Sequence, residues 1–279
     1  MGLVQLIVTL GLHHCFCQET LIFRRLIVSS LIFLYRLSGI IVNSLLKRIV
    51  CPILPTAVVK MLVNIKKNYF DGYALKSYSQ EGEDMILKRF FNGQVDGFYV
   101  DVGAHHPKRF SNTFLFYQKG WRGINIDAMP GSMVQFNRSR PRDINIEKPV
   151  SDKVETLTYY AFNEPALNGF SKEISLSRNG LRDYQIEFTK EIETTTLQEI
   201  LDEWLPGGKK IDFLTIDVEG LDIQVLRSIN LVQHAPRMIL VEILQTTYLE
   251  VSNSEVNKHL TSFGYSIYAK SGNTVFFKK

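Results

Sequence analysis

The chain predicts a doubly wound α/β fold, with a mostly parallel sheet, an antiparallel hairpin at one edge and an N-terminal helical segment in front. Short apolar runs (Gly97 to Val102, Gly123 to Ile126, Ile144 to Val150, Ile211 to Ile216, Met238 to Val241) alternate with helical patterns. Buried parallel strands read this way when helices cover both faces of the sheet. The runs stop at or near acids, namely Asp101, Asp127, Asp152, Asp217 and Glu242, and the chain closes on two alternating segments flanking Ser271-Gly272-Asn273, a hairpin signal.

A length of 279 residues with 45% hydrophobic content supports a sizeable core. Charge divides the chain unevenly. Residues 1–68 carry eight Lys/Arg against the single Glu19, so this head is +7, which leaves −3 for the rest of a chain of net charge +4. A basic, apolar head suits an anionic membrane surface better than nucleic acid, so no nucleic-acid partner is expected. All three cysteines (Cys15, Cys17, Cys51) lie in the head, so residues 69–279 form no internal disulfide, consistent with a reducing compartment.

The first dozen residues are apolar but have no basic residue before them, which makes a poor signal peptide. From Leu21 to Val50 a long apolar run is interrupted only by Arg24, Arg25, Arg36, Lys47 and Arg48. On a helix, Arg25, Ser29, Arg36, Asn43 and Lys47 form one narrow polar stripe beside a wide apolar face. The expectation is a helix that lies in a membrane interface or crosses the bilayer, its basic side chains reaching the headgroups. Cys51-Pro52 and Leu54-Pro55 end it and begin a linker. Two domains follow: residues 1–68 as a helical head and linker, and residues 69–279 as the body, with the protein membrane-associated and the body cytoplasmic.

Within the body, Ser79 before Gln80-Glu81-Gly82-Glu83-Asp84 reads as the N-cap of a helix with an acidic first turn. The first strand then runs into Asp101-Val102-Gly103-Ala104-His105-His106. Thr113 to Lys119 predicts a helix ending at Gly120, Pro130 to Arg138 another, and Ile144 to Val150 a third strand closing on Ser151-Asp152. Leu157 to Phe162 alternates like a strand. Asn163 to Thr189 is polar and aperiodic, and reads as an insertion near the active face and a substrate lid. Thr196 to Trp204 and Val256 to Phe263 predict further helices, and Ile211 to Ile216 a strand ending in Asp217-Val218-Glu219-Gly220.

The turn after the first strand separates two cofactor classes. A dinucleotide needs a glycine-rich seat for its pyrophosphate, yet no glycine follows Gly103 before Gly120. S-adenosylmethionine carries no phosphate and calls instead for hydrogen-bonding acids at strand ends, which Asp101, Asp127, Asp152, Asp217 and Glu219 supply. The bland alternative is that some of these acids only cap the helices that follow.

Ser79 to Asp84, Phe98 to His105, Gly120-Trp121-Arg122-Gly123 leading to Asp127, Val150-Ser151-Asp152, and Ile216-Asp217-Val218-Glu219-Gly220 with Val241-Glu242 resemble the FkbM family of S-adenosylmethionine-dependent methyltransferases. The resemblance spans Tyr78 to Glu242 and departs from the family at Asp127-Ala128, where Glu-Pro is commoner. It implies a class I methyltransferase (Rossmann-like) sheet and O-methylation of a hydroxyl on a sugar, glycan or secondary metabolite. It further implies Asp101 and Gly103 near the methionine end of the cofactor, Asp127 at the ribose, Asp152 with the Ser151 backbone near the adenine, Ala104 and Ala128 also against the cofactor, and Asp217 beside the transferred methyl. Candidate bases for the acceptor hydroxyl are Asp217, Glu219 and His105, with His106 behind them. Asp217, Glu219 and Glu242 could also assemble an oxygen-ligand site for a divalent metal, but no spacing signature calls for one, and none is expected. The rival readings are an NAD-type oxidoreductase and a non-catalytic membrane module that keeps the fold alone.

Overall fold

The computed structural model describes residues 73–279 except 245 and 246, together with scattered positions from 57 to 68. The apolar stretch at 21–50, and with it the helix expected there, lies outside the described residues. Among the described residues no helix is long and apolar enough to cross a membrane. Residues 76–279 form one compact unit.

Its frame is a seven-stranded sheet in the order β3-β2-β1-β6-β7-β9-β8. β1 (Phe98–Val102), β2 (Arg122–Asp127), β3 (Ile144–Glu147), β6 (Phe213–Ile216) and β7 (Met238–Glu242) run parallel, and β8 (Ser266–Ser271) and β9 (Thr274–Lys278) form the antiparallel edge hairpin. The doubly wound expectation is met. The order reverses between β1 and β6, and in open α/β sheets ligands sit above such a reversal, beyond the carboxyl ends of the strands.

Both faces are buried, which explains why the strands read as continuous apolar runs. On one face Val100, Val102, Ile124, Ile126, Leu214 and Ile216 pack with Leu197, Ile200 and Leu201 of α5 (Leu197–Trp204), Val225 and Leu226 of α6 (Asp222–Arg227) and Leu260 of α8 (Glu255–Ser262). The other face is aromatic. There Tyr99, Phe213 and Phe276 meet Leu87 of α1 (Glu83–Phe90), Phe116 of α2 (Phe114–Gln118) and Trp121.

Two boundaries differ from the expectation. Gly82, at φ 88°, holds the N-cap position of α1 in place of Ser79, whose Oγ still accepts the first-turn N–H of Asp84 at 3.2 Å and donates to Asp84 Oδ1 at 3.0 Å. The buried Asp84 carboxylate also collects Ser77 Oγ (2.6 Å) and the Tyr78 N–H (2.8 Å), tying the entering chain to the helix. β3 ends at Glu147, before Asp152, because the chain leaves the sheet there and only Val150 returns, in an isolated bridge to Thr195.

Between β3 and α5 the chain makes an excursion. β4 (Thr156–Phe162) and β5 (Ile186–Glu193) pair antiparallel as a sheet of their own, and between them lie a 3-10 turn (Pro165–Leu167) and α4 (Lys172–Arg178). α3 (Met133–Ser139) follows β2, and α7 (Tyr248–Asn253) precedes α8.

Candidate active site

A cavity of about 440 Å³ opens over the carboxyl ends of β1, β2, β6 and β7. Its floor is the turn after β1. Gly103 (φ 84°) comes so close to β6 that a Cβ there would overlap the Asp217 carbonyl oxygen, so only glycine lets the two strand ends meet. The Gly103 and Ala104 N–H groups both donate to the Ile126 carbonyl, at 2.9 and 3.0 Å, and the Asp217 N–H donates to the Val102 carbonyl at 3.0 Å.

Asp127 ends β2 and lines the cavity. Its Oδ2 accepts the His105 N–H and its Oδ1 the Met129 N–H, each at 2.8 Å. Burial raises its proton affinity against the lowering effect of those two donors. A carboxylate has about four acceptor positions, so Asp127 can order the turn and still receive two hydroxyls from a ligand.

Glu219 and His105 also line the cavity, and both adopt φ 53°, a left-handed conformation costly for a residue with a Cβ. Burial, then the nearby Arg109, lowers the proton affinity of His105, so its ring is neutral at neutral pH, and its Nε2 is buried without a partner. Glu219 Oε2 accepts from Arg178 Nη1 of α4 at 2.7 Å. Arg109 pairs with Glu164 at 3.1 Å, so the excursion is fastened to the sheet side at two points and supplies the outer wall, including Asn168, Phe170 and Tyr184.

Asp217 is exposed to the open cavity. The protein walls around the carboxyl, then Glu242 and Glu219, raise its proton affinity. The carboxylates of Asp217, Glu219 and Glu242 lie within 4.8 Å of one another.

Of the sequence candidates, Gly103, His105, Asp127, Ala128, Asp217 and Glu219 line the cavity. Four others do not. Asp101 is buried behind the turn, where strand alternation sends its side chain to the face of Tyr99. There it accepts from Thr113 Oγ1 at 2.7 Å, beside the fully buried pair of Arg140 with Asp143 (2.8 Å). Ala104 packs under α3 against Met133 and Phe136. The Ser151 N–H donates to the Thr195 carbonyl at 2.9 Å, and Asp152 is exposed. Near the place expected of Asp152, Lys148, Pro149 and Val150 line the cavity, and the acid ending β3, Glu147, accepts from the Gly131 N–H at 2.8 Å. His106 shapes the loop, its Nδ1 accepting the N–H groups of Lys108 (3.0 Å) and Arg109 (2.9 Å). Sequence reasoning did not place Gln80, Glu81, Glu83, Asn112 or Arg178 on the cavity. The Gln-Glu-Gly-Glu-Asp stretch was the available signal for the first three.

A family model described as the methyltransferase FkbM domain matches residues 101–267. The chain belongs to the FkbM methyltransferase family. An FkbM methyltransferase carries one-carbon chemistry, so the oxidoreductase reading falls. No curated protein matches the sequence. Among solved structures, a protein described as an RNA methyltransferase from Pyrococcus horikoshii is similar at TM-score 0.36 and 9% identity, covering 71% of this chain and 83% of that one. A TehB-like SAM-dependent methyltransferase from Corynebacterium glutamicum is similar at TM-score 0.35 and 9% identity, covering 81% of this chain and 100% of that one. Likenesses this distant have no bearing on the site.

Proposed function

We propose that the chain transfers a methyl group from S-adenosylmethionine to a hydroxyl of a small-molecule, sugar or glycan acceptor. The observation that carries the reading is Asp127, an acid at the end of β2 with its backbone partners made and acceptor positions left over for a ribose diol. The residues around it suit the rest of that cofactor. Bare backbone at Gly103 would lie along its amino-acid end, Ala128 and Met129 beside the ribose, and Lys148, Pro149 and Val150 against the adenine. When bound, the cofactor supplies an electrophilic methyl on a cationic sulfonium. The acids around Asp217 would favour that positive charge, and Asp217 would orient the acceptor hydroxyl and take its proton. Residues 163–189 would close over the acceptor as a lid.

Calorimetric titration with S-adenosylhomocysteine tests the reading, with NADH as the control. Binding of S-adenosylhomocysteine alone supports it. Failure of both ligands would favour the non-catalytic module. Label transferred from methyl-labelled cofactor into cell extract would identify the acceptor.

The domain division and the membrane anchor belong to the same proposal: residues 1–68 act as an interfacial or single-pass anchor for the body at 69–279. The support is the polar stripe of Arg25, Arg36 and Lys47 on an apolar run. Lying in the interface avoids burying Arg36 at mid-bilayer, a cost of roughly 2.5–3.5 kcal/mol. The full chain is then expected to co-sediment with anionic vesicles, and a full chain that stays in the supernatant without detergent overturns the anchor.

A further inference from the structure

The register of the sheet sets two acids side by side. Ile216 of β6 pairs with Val241 of β7, so the next residues, Asp217 and Glu242, leave adjacent strand ends together and both line the cavity. Their surroundings differ from those of the third acid, Glu219, whose charge is met by Arg178 at 2.7 Å. Among the described residues no donor reaches the buried Glu242 Oε2, and the carboxylate oxygens of Asp217 and Glu242 lie within 4.8 Å of each other. Two carboxylates offer only acceptors to each other, so the donor missing from this contact is a proton.

We propose that Glu242 is the positioning partner of Asp217, the two carboxyl groups sharing one proton at the edge of the cavity and acting as a single proton-holding unit. The inference rests on the methyl-transfer reading for its purpose and on the β6–β7 contact for its existence. With the shared proton gone, the acceptor hydroxyl gives its proton to Asp217 as its oxygen bonds to the methyl carbon. The bond from that carbon to sulfur breaks with the electron pair left on sulfur, and the proton then lies between Asp217 and Glu242.

The groups facing the pair agree with this. Asp222 and Glu219 from the loop and helix after β6, and Asp101 from β1, add negative charge. Arg178 from the excursion opposes it, and Asn273 from the β8–β9 turn donates to Glu242. Burial, then Glu219 and Asp222, raises Glu242 to about 8, and Asp217 is raised with it.

Infrared difference titration of the full chain from pH 5 to 9 tests the inference without any acceptor. The wild-type protein is expected to keep a protonated-carboxyl band up to about pH 8. In Glu242→Gln the Asp217 carboxyl loses its like-charged neighbour and should titrate about one pH unit lower or more, and Asp217→Asn should lower Glu242 reciprocally. Glu242→Asp, which keeps the acid, should keep the high titration. A band that titrates in Glu242→Gln where it does in the wild type overturns the inference. So does loss of the high-pH band on adding Mg²⁺ alone, since a cation would then occupy the place given to the proton. A second readout is calorimetric: the preference for S-adenosylmethionine over neutral S-adenosylhomocysteine should rise severalfold from pH 6.5 to 8.5 in the wild type and stay flat in Glu242→Gln. If neither compound binds, the cofactor reading fails by itself, and the infrared titration still decides the pair.

Discussion

The backbone N–H of His105 donates to Asp127 Oδ2 at 2.8 Å, so the acid proposed for the ribose also fixes the turn that forms the cavity floor. Asp127→Ala would therefore do two things. Cofactor affinity should fall by about 1–3 kcal/mol, the usual loss when hydrogen-bonding groups are left without their acceptor. The melting temperature should fall too, because the N–H groups of His105 and Met129 lose their partner. Calorimetry with S-adenosylhomocysteine beside a thermal melt separates the effects, and unchanged affinity would remove Asp127 from the site.

Asp217→Asn is expected to leave most S-adenosylhomocysteine affinity intact while depressing turnover, since that demethylated product carries no sulfonium charge for the acid to meet. Turnover equal to wild type would move the base to His105 or Glu219.

Arg178 holds Glu219 from α4, and the backbone there is already left-handed. Removing the cation in Arg178→Met should loosen the wall and expose residues 163–185 to limited proteolysis. Burial raises the Glu219 proton affinity and Arg178 lowers it, so the variant should raise it further. Acceptor KM should suffer more than cofactor affinity. A proteolysis pattern identical to wild type would show that Arg178 is not a fastening.

Stability should fall as pH rises from 6.5 to 8. Burial raises Asp222 to about 7 and Glu242 to about 8, so the folded state keeps protons that the unfolded chain has already released, and stability is lost as pH climbs through those values. His105, His234 and His259 are lowered by burial and work the other way, but only below about pH 6.5, where an unfolded histidine begins to charge. Above that the acids decide, at about 1–2 kcal/mol in sum. Denaturant melts of the apo protein at the two pH values check this, and Glu242→Gln should flatten the slope. A rise with pH would contradict it.

The strands were legible because burial on both faces leaves apolar runs that polar turns interrupt, and Asp127 and Asp217 were legible because such runs end at them. Asp101 misled for a geometric reason. It lies inside β1, and alternation turns its side chain toward Thr113 and Arg140, away from the ligand side of the turn. Asp152 misled because Val150 looked like strand when only an isolated bridge remains there. The start of α1 was displaced by three residues: Gly82 holds the cap position, while the Ser79 hydroxyl reaches the first turn from further back, through the N–H and carboxylate of Asp84. The cavity's outer wall was legible only as a polar insertion, since its placement depends on ion pairs between residues 41 and 55 positions apart.

That excursion leaves and rejoins the sheet at one point. Val150 bridges Thr195, the Ser151 N–H bonds the Thr195 carbonyl at 2.9 Å, and the Thr195 N–H returns to the Pro149 carbonyl at 3.0 Å. Whatever lies between is a closed loop with a clasped neck, so its length and sequence can change at little cost to the sheet. The wall is in effect a cassette. Exchanging residues 156–193 for the equivalent stretch of another family member would graft one enzyme's choice of acceptor onto the methyl-donor machinery of another.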